Sequence, residues 1–297
     1  GGRLILSSAT LSPDFVAGLF TAYQEGRAIW NQHQQLGDTS QDIVVAWVDE
    51  AAEKLAICKD ITQFRDDHKA FVAQRGAMLN ELPIKRQAAI IPWVPPNFYE
   101  GKGLNTKGKR DRKAEEKSRY YIVATTILKE ALNLHQKYHE VAPNEGSYNE
   151  ERASIGLVRL SKIKHIIPLA KMLLSEPFWA RLQEDSPELY ARLSTVKIHL
   201  NVYHSRQILL LRSLLESRLD RILLRKKPFA IFSQPEIKQA ILGGEREQKD
   251  HLFVVLGSPV TEVGRDHDYD WAILEPSSHR SIVQLAGRVW RHRERKL

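Results

Sequence analysis

Apolar positions along this chain keep two different rhythms. From about residue 119 onward, short apolar runs alternate with helical periodicities. Tyr120, Val123, Ala124, Ile127, Leu128, Ala131 and Leu134 recur at helical spacing and predict a long helix. The run Ile155 to Leu160 predicts a strand and Ile166 to Leu174 a helix. Val196 to Val202 predicts a strand, Arg206 to Leu224 a long amphipathic helix, Phe229 to Phe232 a short strand and Glu236 to Leu242 a short helix. Leu252 to Leu256 is a wholly apolar strand, Trp271 to Leu274 another, and Arg280 to Arg291 the closing helix. Apolar strands alternating with helices predict an α/β fold, a parallel sheet with helices on both faces. In such folds the ligand crevice lies at the carboxyl ends of the strands.

The first 118 residues follow another regime. Arg3 to Leu6 predicts a buried strand, Ser7 to Thr10 a small polar turn, and Ser12-Pro13 a helix N-cap with a first-turn proline. Phe15, Leu19, Phe20 and Tyr23 continue that helix. A chain opening inside a strand–turn–helix unit, with no neighbouring strand before it, is expected to be a piece of something longer. Ile43 to Trp47 is a strand candidate, followed by an amphipathic helix carrying Phe64, Phe71, Met78 and Leu79. The proline-rich stretch Ile91 to Pro96 suits neither helix interior nor central strand. Gly101 to Arg119 holds Lys102, Lys107, Lys109, Arg110, Arg112, Lys113, Lys117 and Arg119 and reads as a basic loop, either solvated or touching nucleic acid.

Composition narrows the field without choosing a function. At 42% hydrophobic and 27% charged residues, the 297-residue chain is an ordinary globular protein, neither disordered nor collagen-like. Its single cysteine, Cys58, forms no internal disulfide and no multi-cysteine zinc site, which fits a reducing, cytoplasmic compartment. No apolar run approaches the ~18 residues of a membrane span, and no signal peptide is visible. A net charge of +8 admits a polyanion partner without requiring one.

The candidate chemistry follows the predicted strands. Gln284-Leu285-Ala286-Gly287-Arg288-Val289-Trp290-Arg291 places two arginines three apart, on one face of the expected helix, with Gln284 a turn earlier. Two guanidiniums aimed at one point suit the charge of a transferring γ-phosphate. A basic surface helix would carry the same string. Upstream, Thr261-x-x-Gly264-x-Asp266 lies between two strands, where a hydroxyl and backbone N–H groups suit a nucleic-acid phosphate, and glycine with aspartate suits a nucleotide. Asp266-x-Asp268-x-Asp270 is no calcium loop, because Trp271 stands where glycine is needed and Ser277 where the glutamate is needed. His135 and His139 stand four apart on a helix without a third ligand, and read as surface histidines.

Together with Ser7-Ser8-Ala9-Thr10 after the first strand, these strings resemble motifs III, V and VI of the RecA-like core of superfamily 2 helicases. The phrases Gly1 to Leu11, Tyr203-His204-Ser205-Arg206 and Val260 to Trp271 narrow the resemblance to the CRISPR-associated helicase–nuclease of subtype I-F, over nearly the whole chain. The resemblance implies a RecA-like doubly wound parallel sheet over 119–297. A mostly helical insertion with a basic loop would occupy 21–118, and the end of a preceding RecA-like domain 1–20.

The same resemblance assigns roles. Arg288 and Arg291 would be arginine fingers, with Gln284 orienting their site. Gly264 and Asp266 would face nucleotide, and Thr261 the DNA backbone. His204, Ser205 and Arg206 would hold a DNA phosphate through backbone N–H groups and the hydroxyl, although helix capping by Ser205 explains them equally. Arg159 would be a weaker phosphate contact, or the partner of an acid. Ser8 and Thr10 would couple hydrolysis to domain closure. ATP and Mg²⁺ would be held mainly by a first RecA-like domain, since no Gly-x-x-x-x-Gly-Lys-Ser/Thr and no Asp-Glu-x-His ahead of motif III occur here. A nuclease metal would belong to a nuclease domain absent from this chain, and the chain alone is expected to be inactive. The implied partners are single-stranded DNA, a crRNA-guided surveillance complex, the rest of the helicase–nuclease and an adaptation integrase, with no membrane. The competing class is a non-catalytic RecA-like module that binds DNA or protein. An RNA helicase is disfavoured by the extended match at 260–271.

Overall fold

A computed structural model describes residues 2–7, 11–34, 42–92, 112–143, 148, 150–227, 229–243, 248–262 and 266–293. The chain divides into two compact units, Gly1–Lys85 and Arg86–Leu297.

In the first unit, helix α1 (Pro13–His33) starts where Ser12 accepts a hydrogen bond from the Phe15 amide at 3.3 Å, with Pro13 in the first turn. A domain boundary at residue 20 would fall inside this helix. Strands β1 (Ile43–Val48) and β2 (Glu53–Cys58) pair antiparallel. Between them the Asp49 carboxylate accepts the amides of Ala51 and Ala52 at 2.7 and 2.8 Å. Those two amides hold its carboxyl below the ordinary value. Helix α2 (Ile61–Glu81) is capped by Asp60. Ala17, Phe20, Ile43, Trp47, Cys58 and Phe64 form the core, with Phe20 and Phe64 stacked at 4.5 Å. Of the four apolar residues expected to line α2 only Phe64 is buried, and Met78 and Leu79 are exposed.

The expected strand at Arg3–Leu6 does not form. Leu4, Ile5 and Leu6 are exposed, and no described strand lies beside them to take up their backbone hydrogen bonds.

The second unit opens with α3 (Arg112–Tyr138), so the last eight residues of the predicted basic loop are helical. Residues 93–111, with the rest of that loop, lie outside the described residues. After α3 come β3 (Glu140–Val141), β4 (Arg152–Arg159), α4 (Ile163–Leu173), α5 (Glu176–Asp185), α6 (Pro187–Ser194) and β5 (Val196–Tyr203). Then follow α7 (Leu209–Leu223), α8 (Pro235–Leu242), β6 (Asp250–Gly257), β7 (Trp271–Leu274) and α9 (His279–Ala286). Strands β5, β6, β4 and β7 lie side by side in that order, all parallel, and β3 pairs antiparallel with the start of β4.

Alternation along the strands sends side chains to two separate cores. Val158, Leu252, Val254 and Leu256 pack with α3, α4, α5 and α6. Ala153, Ile155, Leu157 and Val255 pack with α7, α8 and α9. This is the predicted α/β layering, with helices on both faces. At Gly156 the pleat has no room for a side chain, because a Cβ there would lie 2.1 Å from the buried Trp271 indole.

Two predicted elements differ. Phe229–Phe232 is no strand; Ala230–Ser233 forms a 3₁₀ turn that buries Ile231 and Phe232, behind a left-handed Phe229. Four apolar residues cannot distinguish a strand from a buried turn by periodicity. The closing helix stops at Ala286, not Arg291, and Gly287 caps it.

Candidate functional site

The parallel strands end together. Arg159 stands opposite Gly257 and Leu274, and Gly257 opposite Tyr203. The carboxyl edge therefore gathers Arg159, the 204–206 segment and Ser258–Glu262.

Arg159 is spoken for. Its side chain is 1% exposed, and Nε lies 2.6 Å from a carboxylate oxygen of Glu262. Nη1 donates to the Glu275 carbonyl at 2.7 Å and Nη2 to the Ser277 hydroxyl at 2.9 Å. Of its two expected readings, this geometry is that of an arginine paired with an acid. Thr261 is also turned inward: it sits in a 3₁₀ turn, fully buried, its hydroxyl donating to the Ser258 carbonyl at 2.9 Å. In this position it offers no hydroxyl to a phosphate. Gly264, Ser8 and Thr10 lie outside the described residues.

At the end of β5, Ser205 and Arg206 are exposed while His204 is buried. The His204 amide donates to the Gln207 side chain at 3.0 Å, and Gln207 donates back to the Val202 carbonyl at 2.8 Å. Ser205 is not the cap of α7; Ile208 occupies that place, with no side-chain cap bond. The His204 Nδ1 is buried without a hydrogen-bond partner among the described residues. Burial, then the charge of Arg206, holds this imidazole below its ordinary pKa, so it is neutral near pH 7.

The two C-terminal arginines do not share a helix face, because α9 ends before them. They flank a turn in which Trp290 takes a left-handed backbone with φ 50°. Arg288 is 7% exposed; its Nη2 donates to the Glu262 carbonyl at 3.0 Å and its Nη1 is buried with no partner among the described residues. Arg291 reaches the half-exposed Asp266 at 2.6 Å, and His292 meets the other Asp266 oxygen at 3.1 Å. Desolvation pushes the Asp266 carboxyl up, but His292 and Arg291 outweigh it and hold the group below its ordinary range. Burial, then Arg291, lowers the Arg288 pKa. Arg288, Asp266 and Arg291 thus form one electrostatic group, with Gln284 half-buried on α9 a turn earlier.

Sequence reasoning missed the scaffold under this turn. The Asp268 carboxylate, fully buried, accepts the amides of Arg291 and His292 at 3.1 and 3.2 Å and takes Arg293 in a fork at 2.8 and 3.0 Å. Asp270 accepts the Ile155 amide at 2.7 Å, Arg225 at 2.8 Å and Arg293 at 2.7 Å. Glu140 accepts Arg225 and Arg293, both at 2.7 Å. The alternating acids of 266–270 thus hold arginines and main chain. Their two-residue spacing was the available signal; their partners, up to 115 residues away, gave none. Glu262 was missed as well, although it joins Arg159 through its side chain and Arg288 through its carbonyl.

His135 is not at the surface. It is 1% exposed, with Nδ1 2.8 Å from the Ser154 hydroxyl and Nε2 3.2 Å from Asp250. Its neighbour His139 is half-buried. No group of three or more metal-ligating residues occurs among the described residues. No described helix is long and apolar enough to cross a membrane.

Positions 153–294 match the family model described as CRISPR-associated nuclease/helicase Cas3, C-terminal. The CRISPR-associated nuclease/helicase Cas3 subtype I-F/YPEST of Pseudomonas aeruginosa is 39% identical over 296 residues, covering 99% of this chain and 24% of its own. Its counterpart of the same description from Pectobacterium atrosepticum is 37% identical over 298 residues, covering 100% and 24%. The chain spans about a quarter of the length of these curated relatives. The crystal structure of T. fusca Cas3-ATP aligns with 83% of this chain and 19% of its own, at 17% identity and a TM-score of 0.35.

Proposed function

This chain is a relative, along its whole length, of the subtype I-F CRISPR-associated nuclease/helicases, and we propose that it carries the second RecA-like half of their ATP-driven motor. In that role residues 119–297 are the second RecA-like domain, 1–20 the end of the first, and 21–118 an insertion between them. The motor moves on single-stranded DNA and feeds a nuclease that degrades foreign DNA after recruitment to an R-loop by a crRNA-guided surveillance complex. Its setting is the cytoplasm, and an adaptation integrase is a further partner.

One observation carries this reading. A buried Arg288 has an Nη1 with no partner among the described residues, beside an exposed Arg291 paired with the half-exposed Asp266. Such a pair fits the charge of a nucleoside triphosphate, because a guanidinium buried without a full set of acceptors gains most from an anion. ATP with Mg²⁺, held mainly by the first RecA-like domain, would supply the phosphoryl group that reacts. Arg288 would meet the γ-phosphate from a fixed position, and Arg291 would exchange Asp266 for phosphate oxygens. Gln284 would orient the same site. Ser205 and Arg206, exposed at the end of β5, would hold a DNA phosphate with the neutral His204 beside them, while Ser8 and Thr10 would couple hydrolysis to domain closure.

Arg288→Ala and Arg291→Ala in the complete protein test it. Each lowers ATP turnover by about 10³-fold or more if it acts as a finger. Near-normal turnover in both leaves a binding module in place of a motor.

A further inference from the structure

The turn between the two arginines is held from a distant part of the chain. Arg86, the first residue of the second unit, donates from Nε to the Val289 carbonyl at 2.6 Å and from Nη2 to the Trp290 carbonyl at 3.4 Å. These two carbonyls lie between Arg288 and Arg291. The remaining main-chain groups of the turn find partners nearby: the Arg288 carbonyl accepts the Tyr269 amide at 2.8 Å, and the Trp290 amide donates to Tyr269 at 3.0 Å. The Arg291 amide donates to Asp268. Arg86 supplies what the local sequence does not.

The turn needs such support. A tryptophan at φ 50° is in a left-handed conformation that is costly for a residue with a Cβ, and persists only where its surroundings over-determine it. A guanidinium fork across the carbonyls of Val289 and Trp290 fixes the peptide on each side of that residue. It thereby sets the direction in which the chain leaves Arg288 and enters Arg291.

We propose that Arg86 is a positioning residue for the arginine turn, holding Arg288 and Arg291 in the mutual arrangement that meets the nucleotide. The proposal rests on the motor reading above. It also makes the segment 86–92, at the start of the second unit, part of the nucleotide machinery without touching nucleotide.

The test is steady-state ATP turnover of the complete protein. Arg86→Ala lowers kcat by about 10- to 100-fold, the scale of an ångström's misplacement of reacting groups. KM for ATP stays within about twofold, since the binding surface is intact. Arg86→Lys recovers part of the loss, because an ammonium reaches one carbonyl but cannot bridge two. Parental kcat in Arg86→Ala, or a defect carried by KM, overturns the proposal. If Arg86→Ala fails to fold, Arg86→Lys decides: reduced kcat at unchanged KM supports positioning, and parental kcat overturns it. Arg288→Ala and Arg291→Ala run alongside separate the two readings. If both turn over normally, the motor reading falls and the Arg86 role with it. If both are inactive while Arg86→Ala is parental, only the Arg86 role falls.

Discussion

Arg159 and Glu262 form an ion pair inside the protein, 2.6 Å apart and 1% and 6% exposed. Breaking it by Arg159→Ala or Glu262→Ala leaves one uncompensated buried charge, at a cost of about 3–5 kcal/mol. Replacing both, Arg159→Met with Glu262→Leu, restores most of that stability. Denaturant unfolding of the three variants checks this; additive losses in the double variant would contradict the pairing.

A methyl group at position 156 meets the rigid Trp271 indole. Gly156→Ala costs about 1–3 kcal/mol or more by overpacking. Trp271→Leu, which removes the ring, relieves part of it in the double variant, and thermal unfolding of the set measures the coupling.

His199 gives the second unit an acid sensitivity. It stacks on Phe253 at 4.2 Å, lies 3.2 Å from the His251 ring nitrogen, and is driven down to about 4 by burial, then by His251 and Lys197. The unfolded chain takes up this proton near pH 6.5 and the folded chain only near 4, so stability is full above 6.5 and declines as pH falls through that window. The expected loss is on the order of 1–3 kcal/mol. His199→Phe keeps the stacking and removes this part of the decline, which near-ultraviolet circular dichroism in denaturant at pH 7 and pH 4.5 reads out.

Asp268 is the keystone of the arginine turn, since it accepts two amides and a forked guanidinium at once. Asp268→Asn keeps an oxygen for the amides but gives up the charged fork to Arg293, which Asp270 and Glu140 still neutralise, and costs about 1–3 kcal/mol. In the complete protein ATP turnover falls with it. Asp266→Ala, by contrast, breaks exposed pairs and costs under about 1 kcal/mol.

The layered fold was legible because β4 and β6 are continuous apolar runs and α3 keeps a helical period, signals that survive without knowledge of partners. Strand β2 escaped notice because it carries Glu53 and Lys54 and follows a turn without glycine or asparagine, closed by Asp49. Gly287 looked like a position inside a helix and is its cap, with backbone dihedrals that are still right-handed, φ −66° and ψ −6°. Arg288 and Arg291 stand out in the sequence from Gln284 to Arg291, but their geometry does not. The direction of Arg288 depends on the carbonyl of Glu262, and the turn around it on Asp268 and Arg86. Contacts that close over such distances leave no local periodicity.

The strand order has a consequence for synthesis on the ribosome. Both β4 and β5 hydrogen-bond to β6, which the ribosome makes last of the three, and the other flank of β4 waits for β7, later still. Apart from the two-residue contact with β3, the edges of β4 and β5 remain open until Asp250–Gly257 has emerged. During that interval the nascent polypeptide exposes the apolar β4 and the alternating β5 with nothing to zip against. Unpaired strand edges of this kind are prone to aggregation, and rare codons placed between 204 and 249 would lengthen their exposure.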